Sequence, residues 1–181
     1  AERLGKRGRH IVTTAVEHEA VLEPVRVLER AGYGVTRLAP DARGFVQAGA
    51  LADAVDGDTV LVSVQAANSE VGAIQPIREL AELAHKRGAL FHTDAVQAVG
   101  HVPIDLSQLP VDMLSLSAHK FHGPKGVGVL YAKRGTPLHS LICGGAQERG
   151  MRAGTENLPA IAGMAAALRE ACANLEQNAA Y

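Results

Sequence analysis

Lys120 sits in the run Ser117-Ala118-His119-Lys120-Phe121-His122-Gly123-Pro124-Lys125-Gly126, soon after the short apolar segment Val111-Asp112-Met113-Leu114. A lysine that leaves a buried strand and at once meets glycine and proline is held at a rigid sheet edge. That is the setting in which an amine can be desolvated enough to attack an aldehyde at neutral pH. His119 and Ser117 flank it and could hydrogen-bond an anion beside it. Upstream, Ala89-Leu90-Phe91-His92-Thr93-Asp94-Ala95-Val96-Gln97 places an acid at the end of a second apolar run. A carboxylate there could pair with a cationic ring nitrogen such as a pyridinium. The two strand ends are expected to face one crevice.

Positioning these groups takes a sheet. His10 to Val16 is rich in β-branched residues and reads as a strand that ends at Glu17-His18-Glu19. A helix from about Ala20 shows Val21, Leu22, Val25 and Leu28 on one face, tolerates Pro24 near its first turn and stops at Gly32. Gly34 to Leu38 is a short strand, Ala48 to Val55 a small amphipathic helix, and Thr59 to Val64 an apolar run of the kind buried on both faces of a parallel sheet. Pro76 opens the clearest helix, with Ile77, Leu80, Ala81 and Ala84 in one stripe and Gly88 at its end. Such repeats build βαβ units, so the expected fold is one α/β domain: a mainly parallel sheet with helices on both faces. Gly126 to Ala132 follows Lys120 too tightly for a parallel crossover and is expected to be the one antiparallel strand. The last helix is expected from Leu158 to about Gln177, capped by Asn157. Leu158, Ile161, Ala165, Leu168, Cys172 and Leu175 are in phase there, which puts Cys172 in the core.

In α/β sheets ligands bind outside the carboxyl ends of the strands, so His18 and Asn68 land on the same rim as Asp94 and Lys120. The residues alone leave two readings open at each. His18 either meets a ligand or is a strand-end histidine satisfied by backbone, and Asn68 either meets a ligand or caps the turn before Gly72. The loop from Gly144 to Asn157 is polar and glycine-rich, so its amides can approach a phosphate, and Thr155 adds a hydroxyl donor.

Three ordered motifs carry a resemblance: His92-Thr93-Asp94-Ala95-Val96-Gln97, Ser117 to Gly126, and Gly144-Gly145-Ala146-Gln147-Glu148-Arg149-Gly150-Met151-Arg152-Ala153-Gly154-Thr155-Glu156-Asn157. Together they resemble the class V aminotransferase family of enzymes dependent on pyridoxal 5'-phosphate (PLP), within it the cysteine desulfurases and selenocysteine lyases. The resemblance implies that Lys120 holds PLP and moves protons, Asp94 fixes the pyridinium charge, Gln97 bonds the phenolic oxygen, and His18 stacks on the ring and handles protons. It further implies that Asn68 bonds near the phenolic oxygen or the substrate carboxylate and that Ser117 and His119 bind phosphate. The Thr155 loop would reach the phosphate across a homodimer interface. The implied reaction removes sulfur from L-cysteine, or selenium from selenocysteine, and leaves alanine. A persulfide would pass to a sulfur-acceptor protein, as in iron-sulfur cluster assembly. Such enzymes carry an earlier Gly/Thr-rich phosphate-binding segment and a later small domain with the persulfide cysteine and a carboxylate-gripping arginine. Residues 1 to 181 are therefore expected to be the PLP-binding large-domain portion, with both of those parts outside it.

Composition sets the remaining bounds. The 181 residues are 47% hydrophobic and 20% charged, an ordinary globular balance, and the net charge of −1 gives no electrostatic case for nucleic acid or an anionic membrane. No run approaches the roughly 18 apolar residues of a membrane span, and the basic start lacks a signal peptide's apolar core, so a cytoplasmic address is expected. Cys143 and Cys172 make neither a disulfide framework nor a metal knuckle, although a reactive Cys143 beside Gly144 stays open. Two other readings compete. A different class V aminotransferase or kynureninase-like enzyme would share the lysine and aspartate. A noncatalytic interaction or metal-binding module would use His92 with Asp94 or His119 with His122, but no third and fourth ligands accompany those pairs, and no metal is expected.

Overall fold

In the computed structural model, which describes residues 1–179, one sheet organises the chain. Its strands are His10–Thr14 (β1), Gly34–Leu38 (β2), Thr59–Ser63 (β3), Leu90–Asp94 (β4), Met113–Ser117 (β5) and Gly128–Ala132 (β6), in the spatial order β2-β1-β3-β4-β5-β6. The first five pair in parallel, and β6 runs antiparallel to β5 because the chain between them is too short for a crossover. From β1 the chain moves outward to β2, then returns to the other side of β1 and continues through β3, β4 and β5. The direction of winding therefore reverses between β1 and β3, and in open α/β sheets ligands bind outside the carboxyl ends at such a point.

Register assigns each side chain to a face. Val12 pairs with Val62, Val62 with Phe91, and Thr93 with Leu114, so these residues share one side of the sheet. Val12, Val62, Phe91 and Leu114 form the main core together with Leu51 of Ala48–Ala54 (α2) and Ile77, Leu80, Ala81 and Ala84 of Ile77–Lys86 (α3). Burial of that apolar stripe, at roughly 25 cal/mol per Å², holds α3 to the sheet. Glu19–Arg30 (α1) packs against β2 and buries Val25 outside that cluster. The opposite face is more polar: His92 bridges Ser63 (2.8 Å) and Ser115 (2.9 Å), joining β3, β4 and β5 through side chains. At the other end of the sheet Asp112 accepts from the Phe91 amide (2.7 Å) and bonds His85 Nε2 (2.7 Å), tying β4 to α3.

Four expectations shift. The first strand ends at Thr14, and Val16 and Glu17 belong to the following turn. Pro24 lies in the second turn of α1, not the first; its missing N–H faces the carbonyl of Ala20, and both residues are exposed, so water can take the free acceptor. The last helix is two: Leu158–Ala173 (α4) stops at Asn174, whose side chain donates to the Glu170 carbonyl, and Leu175–Ala179 (α5) follows. Cys172 is exposed, not buried. Alanine is so frequent in α4 that the helix offers more than one apolar stripe. The stripe used is Ala160, Met164 and Ala171, because Ala171 seats beside Gly100 and Gly163 beside Pro124. Cys172 is then turned one position off that stripe.

Candidate active site

His18 after β1, Asn68 after β3, Asp94 at the end of β4 and Lys120 after β5 follow one another along the carboxyl edge of four adjacent parallel strands. Lys120 lies in a 3₁₀ turn, Ala118–Phe121, that leaves β5. Its neighbours fix it: Ala118 and Phe121 are fully buried, and the Lys120 carbonyl accepts from His101 Nε2 at 2.9 Å. His122 takes a left-handed conformation, φ 64°, and a Cβ on Gly123 would stand 2.9 Å from the Ala118 carbonyl oxygen, so the exit from the turn is tight. The Lys120 side chain remains half-exposed at this rim. Ser117 Oγ and His119 Nδ1 are 2.8 Å apart, which presents the two candidate anion binders as a pair.

Asp94 is buried, with one oxygen accepting from the Val96 amide at 2.9 Å. Its other oxygen makes no hydrogen bond among the described residues. A buried carboxylate with a free acceptor at a strand end suits a cationic ring nitrogen. Gln97 is half-buried in the turn that follows. His92, between two serines, is held below its ordinary imidazole range by loss of hydration, with the Asp94 charge pulling the other way, so it sits neutral in the sheet.

His18 and Asn68 each perform the backbone role that the residues left open. His18 caps α1, its Nδ1 accepting the Ala20 amide at 3.1 Å, while the imidazole itself stays exposed. Asn68 Oδ1 accepts from the amides of Glu70 (2.8 Å) and Val71 (2.9 Å), and its Nδ2 donates to the Val16 carbonyl at 3.2 Å. One Asn68 N–H stays free for a ligand. Thr155 is exposed in the loop before α4 and makes no hydrogen bond to the other rim residues. Among the described residues no group of three or more His, Cys, Asp or Glu side chains could hold a metal, and no helix is long and apolar enough to cross a membrane. A groove of about 330 Å³ lined by Ala66, Ile77, Arg78, Thr93 and Leu109 lies elsewhere, since Thr93 and Asp94 point to opposite sides of β4.

The sequence reading passed over Glu17 and Gln65. Glu17 is 6% exposed; Oε1 accepts from Thr14 Oγ1 and from the Gln65 amide, each at 2.8 Å, and Oε2 is buried without a partner. Burial pushes its carboxyl up to about 7, the two hydrogen bonds pull it back, and the charge of Asp94 adds to the rise. The only signal was an acid directly after a run of buried β-branched residues.

The chain matches the profile of the family described as Aminotransferase class-V over residues 1–180. It belongs to the class V aminotransferase family. A cysteine desulfurase IscS of Dictyoglomus turgidum is 50% identical over 175 residues, 97% of this chain and 44% of that protein. A solved structure described as a NifS-like protein superposes with a TM-score of 0.95 at 48% identity, covering 98% of this chain and 49% of that one. Another, described as SspA in complex with cysteine, gives a TM-score of 0.88 at 39% identity over 93% of this chain and 49% of that one. This class V chain thus spans less than half the length of the curated relatives it matches. The mixed six-stranded sheet with one antiparallel strand is the architecture it shares with that NifS-like neighbour.

Proposed function

We propose that this chain is the PLP-binding portion of a cysteine desulfurase, the enzyme class that takes sulfur from L-cysteine and leaves alanine. The observation that carries the reading is the placement of Asp94, with a free carboxylate oxygen, and Lys120, on a rigid turn, at the ends of adjacent strands β4 and β5. The relatives named cysteine desulfurase and the neighbour described in complex with cysteine support the substrate. PLP, when bound, supplies an electron sink for the bonds at the substrate's α-carbon.

The side chains then divide the work. The Lys120 amine would hold the cofactor and could carry a proton to and from the substrate carbon. The free oxygen of Asp94 would pair with the ring nitrogen and keep it cationic. His18 would stack on the ring, and because Nδ1 is occupied by the Ala20 amide, any proton it handles would be at Nε2. Gln97 and the free Asn68 N–H donate to the phenolic oxygen or to the substrate carboxylate. Ser117 with His119, and Thr155 from a partner subunit, bind the phosphate. The dimer, the cytoplasmic address, a sulfur-acceptor protein and a role in iron-sulfur cluster assembly belong to the same reading and rest on the family resemblance and the relatives' names.

The test is covalent capture. The purified chain with PLP is expected to absorb in the visible and, after borohydride reduction, to carry the label on the peptide containing Lys120. Lys120→Ala is expected to lose that label and keep its circular dichroism. A label on another lysine, or an unchanged label in the variant, overturns the assignment.

A further inference from the structure

Glu17 and Gln65 form a reciprocal clasp. The Glu17 side chain accepts the Gln65 backbone amide at 2.8 Å, and the Gln65 side chain donates to the carbonyl of Val16 at 2.7 Å. Asn68 donates to the same Val16 carbonyl. On the far side, the Ala66 amide donates to the Asp94 carbonyl at 2.7 Å. An unbroken set of short contacts therefore runs from the peptide next to His18, through the end of β3, to the residue at the end of β4. It bridges β1 and β3 where the winding reverses.

The clasp is built from a carboxyl that no cation among the described residues neutralises. Thr14 and Gln65 present neutral donors to it, Asp94 is the charged group facing it from β4, and His18 is the titratable neighbour in the chain. A buried oxygen without a partner, close to a second carboxylate, is poorly tolerated as an anion. We propose that Glu17 is a positioning residue: through its clasp with Gln65 it fixes the peptide that presents His18 relative to the strand that presents Asp94. Glu17 Oε1 makes the clasp as an acceptor, a role that the carboxyl keeps in either protonation state, so the clasp is defined by its geometry. Why His18 must be held there rests on the cofactor reading above; the clasp itself does not.

The experiment is a pH titration by NMR of the full chain, from about pH 5 to about pH 9. It follows the Gln65 backbone amide, the Ala20 amide that His18 caps, and the His18 ring carbons. In the wild type the Gln65 amide is expected to shift with a midpoint near 7, that of the carboxyl it donates to. Glu17→Gln keeps the acceptor and is expected to leave the Ala20 and His18 signals as they are in the wild type at each pH while abolishing the Gln65 step. Glu17→Ala is expected to move the Ala20 and His18 signals at every pH. A flat Gln65 amide in the wild type overturns the proposal, a result that needs no variant to fold. Unmoved His18 and Ala20 signals in Glu17→Ala overturn it as well. Capture of PLP on Lys120 is scored separately. Failed capture with moved His18 signals sinks the cofactor reading and leaves the clasp standing, whereas normal capture with unmoved signals sinks the clasp alone.

Discussion

Glu17 reverses the pH dependence expected of a glutamate in a folded protein. An acid held by an ion pair stabilises the fold above its titration range, but here the folded state keeps the proton up to about 7 while the unfolded chain releases it near 4.5. Folding therefore takes up a proton between those values, and stability falls as pH rises through that window. The shift corresponds to roughly 3 kcal/mol of stability present at the acid end and absent above neutrality. His92 acts in the opposite sense below its ordinary value of 6.5, because it stays neutral in the fold. Comparing wild type with Glu17→Gln by urea unfolding at several pH values cancels that term. The variant is expected to be the more stable above pH 7, by up to about that amount, and to lose the excess toward pH 4.5. Equal stability of the two proteins at all pH values would place the carboxyl in an ordinary, solvated state. The catalytic candidates themselves, Lys120, Asp94, Gln97 and His18, were legible as residues because their types and order form motifs. Glu17 was not, since an acid beside a histidine at a strand end reads as solvated until burial is known.

The elements decide how firmly the lysine is held. Its turn is anchored by Phe121, and the space for Phe121 depends on Gly100, which has φ 83° and no room for a side chain: an added Cβ would lie 2.7 Å from Phe121 Cβ and 3.2 Å from Ala171 Cβ. Gly100→Ala is expected to destabilise the chain by about 2–4 kcal/mol, combining left-handed strain with overpacking. Phe121 and α4 must also shift, so PLP capture on Lys120 should fall further than denaturation alone explains. Thermal unfolding and borohydride labelling, both below the midpoint, separate the two effects; full labelling of a destabilised variant would show that the turn holds itself. This dependence could not be read from the sequence. The glycine is visible there, but its neighbours come from a turn after β5 and a helix near the end of the chain. The same limit explains Cys172: in an alanine-rich helix several faces are equally apolar, and packing against the Lys120 turn selects one.

At the scale of the whole molecule, the sheet ends on β6, an edge strand with Val129 and Leu130 exposed at 40% and 52%. Unpaired backbone groups flanked by apolar side chains are a template for edge-to-edge association. Leu130→Lys is expected to reduce concentration-dependent light scattering by the 181-residue chain without changing its circular dichroism; scattering that is the same in both proteins would place the association elsewhere. The sequence by itself determined the class of fold and the order of its parts. Apolar runs alternating with amphipathic helices admit little besides a parallel sheet, and a connection too short for a crossover forces the last strand to turn back. It also marked the candidate site residues, because motifs are local. Tertiary structure alone decided that β1 and β3 become neighbours, so that Glu17 meets Gln65 across a long separation in sequence. It alone buried that carboxyl near Asp94, left one Asp94 oxygen free, and chose the face that α4 presents. Those outcomes depend on desolvation and on contacts between distant segments, and neither has a local signature in the order of residues.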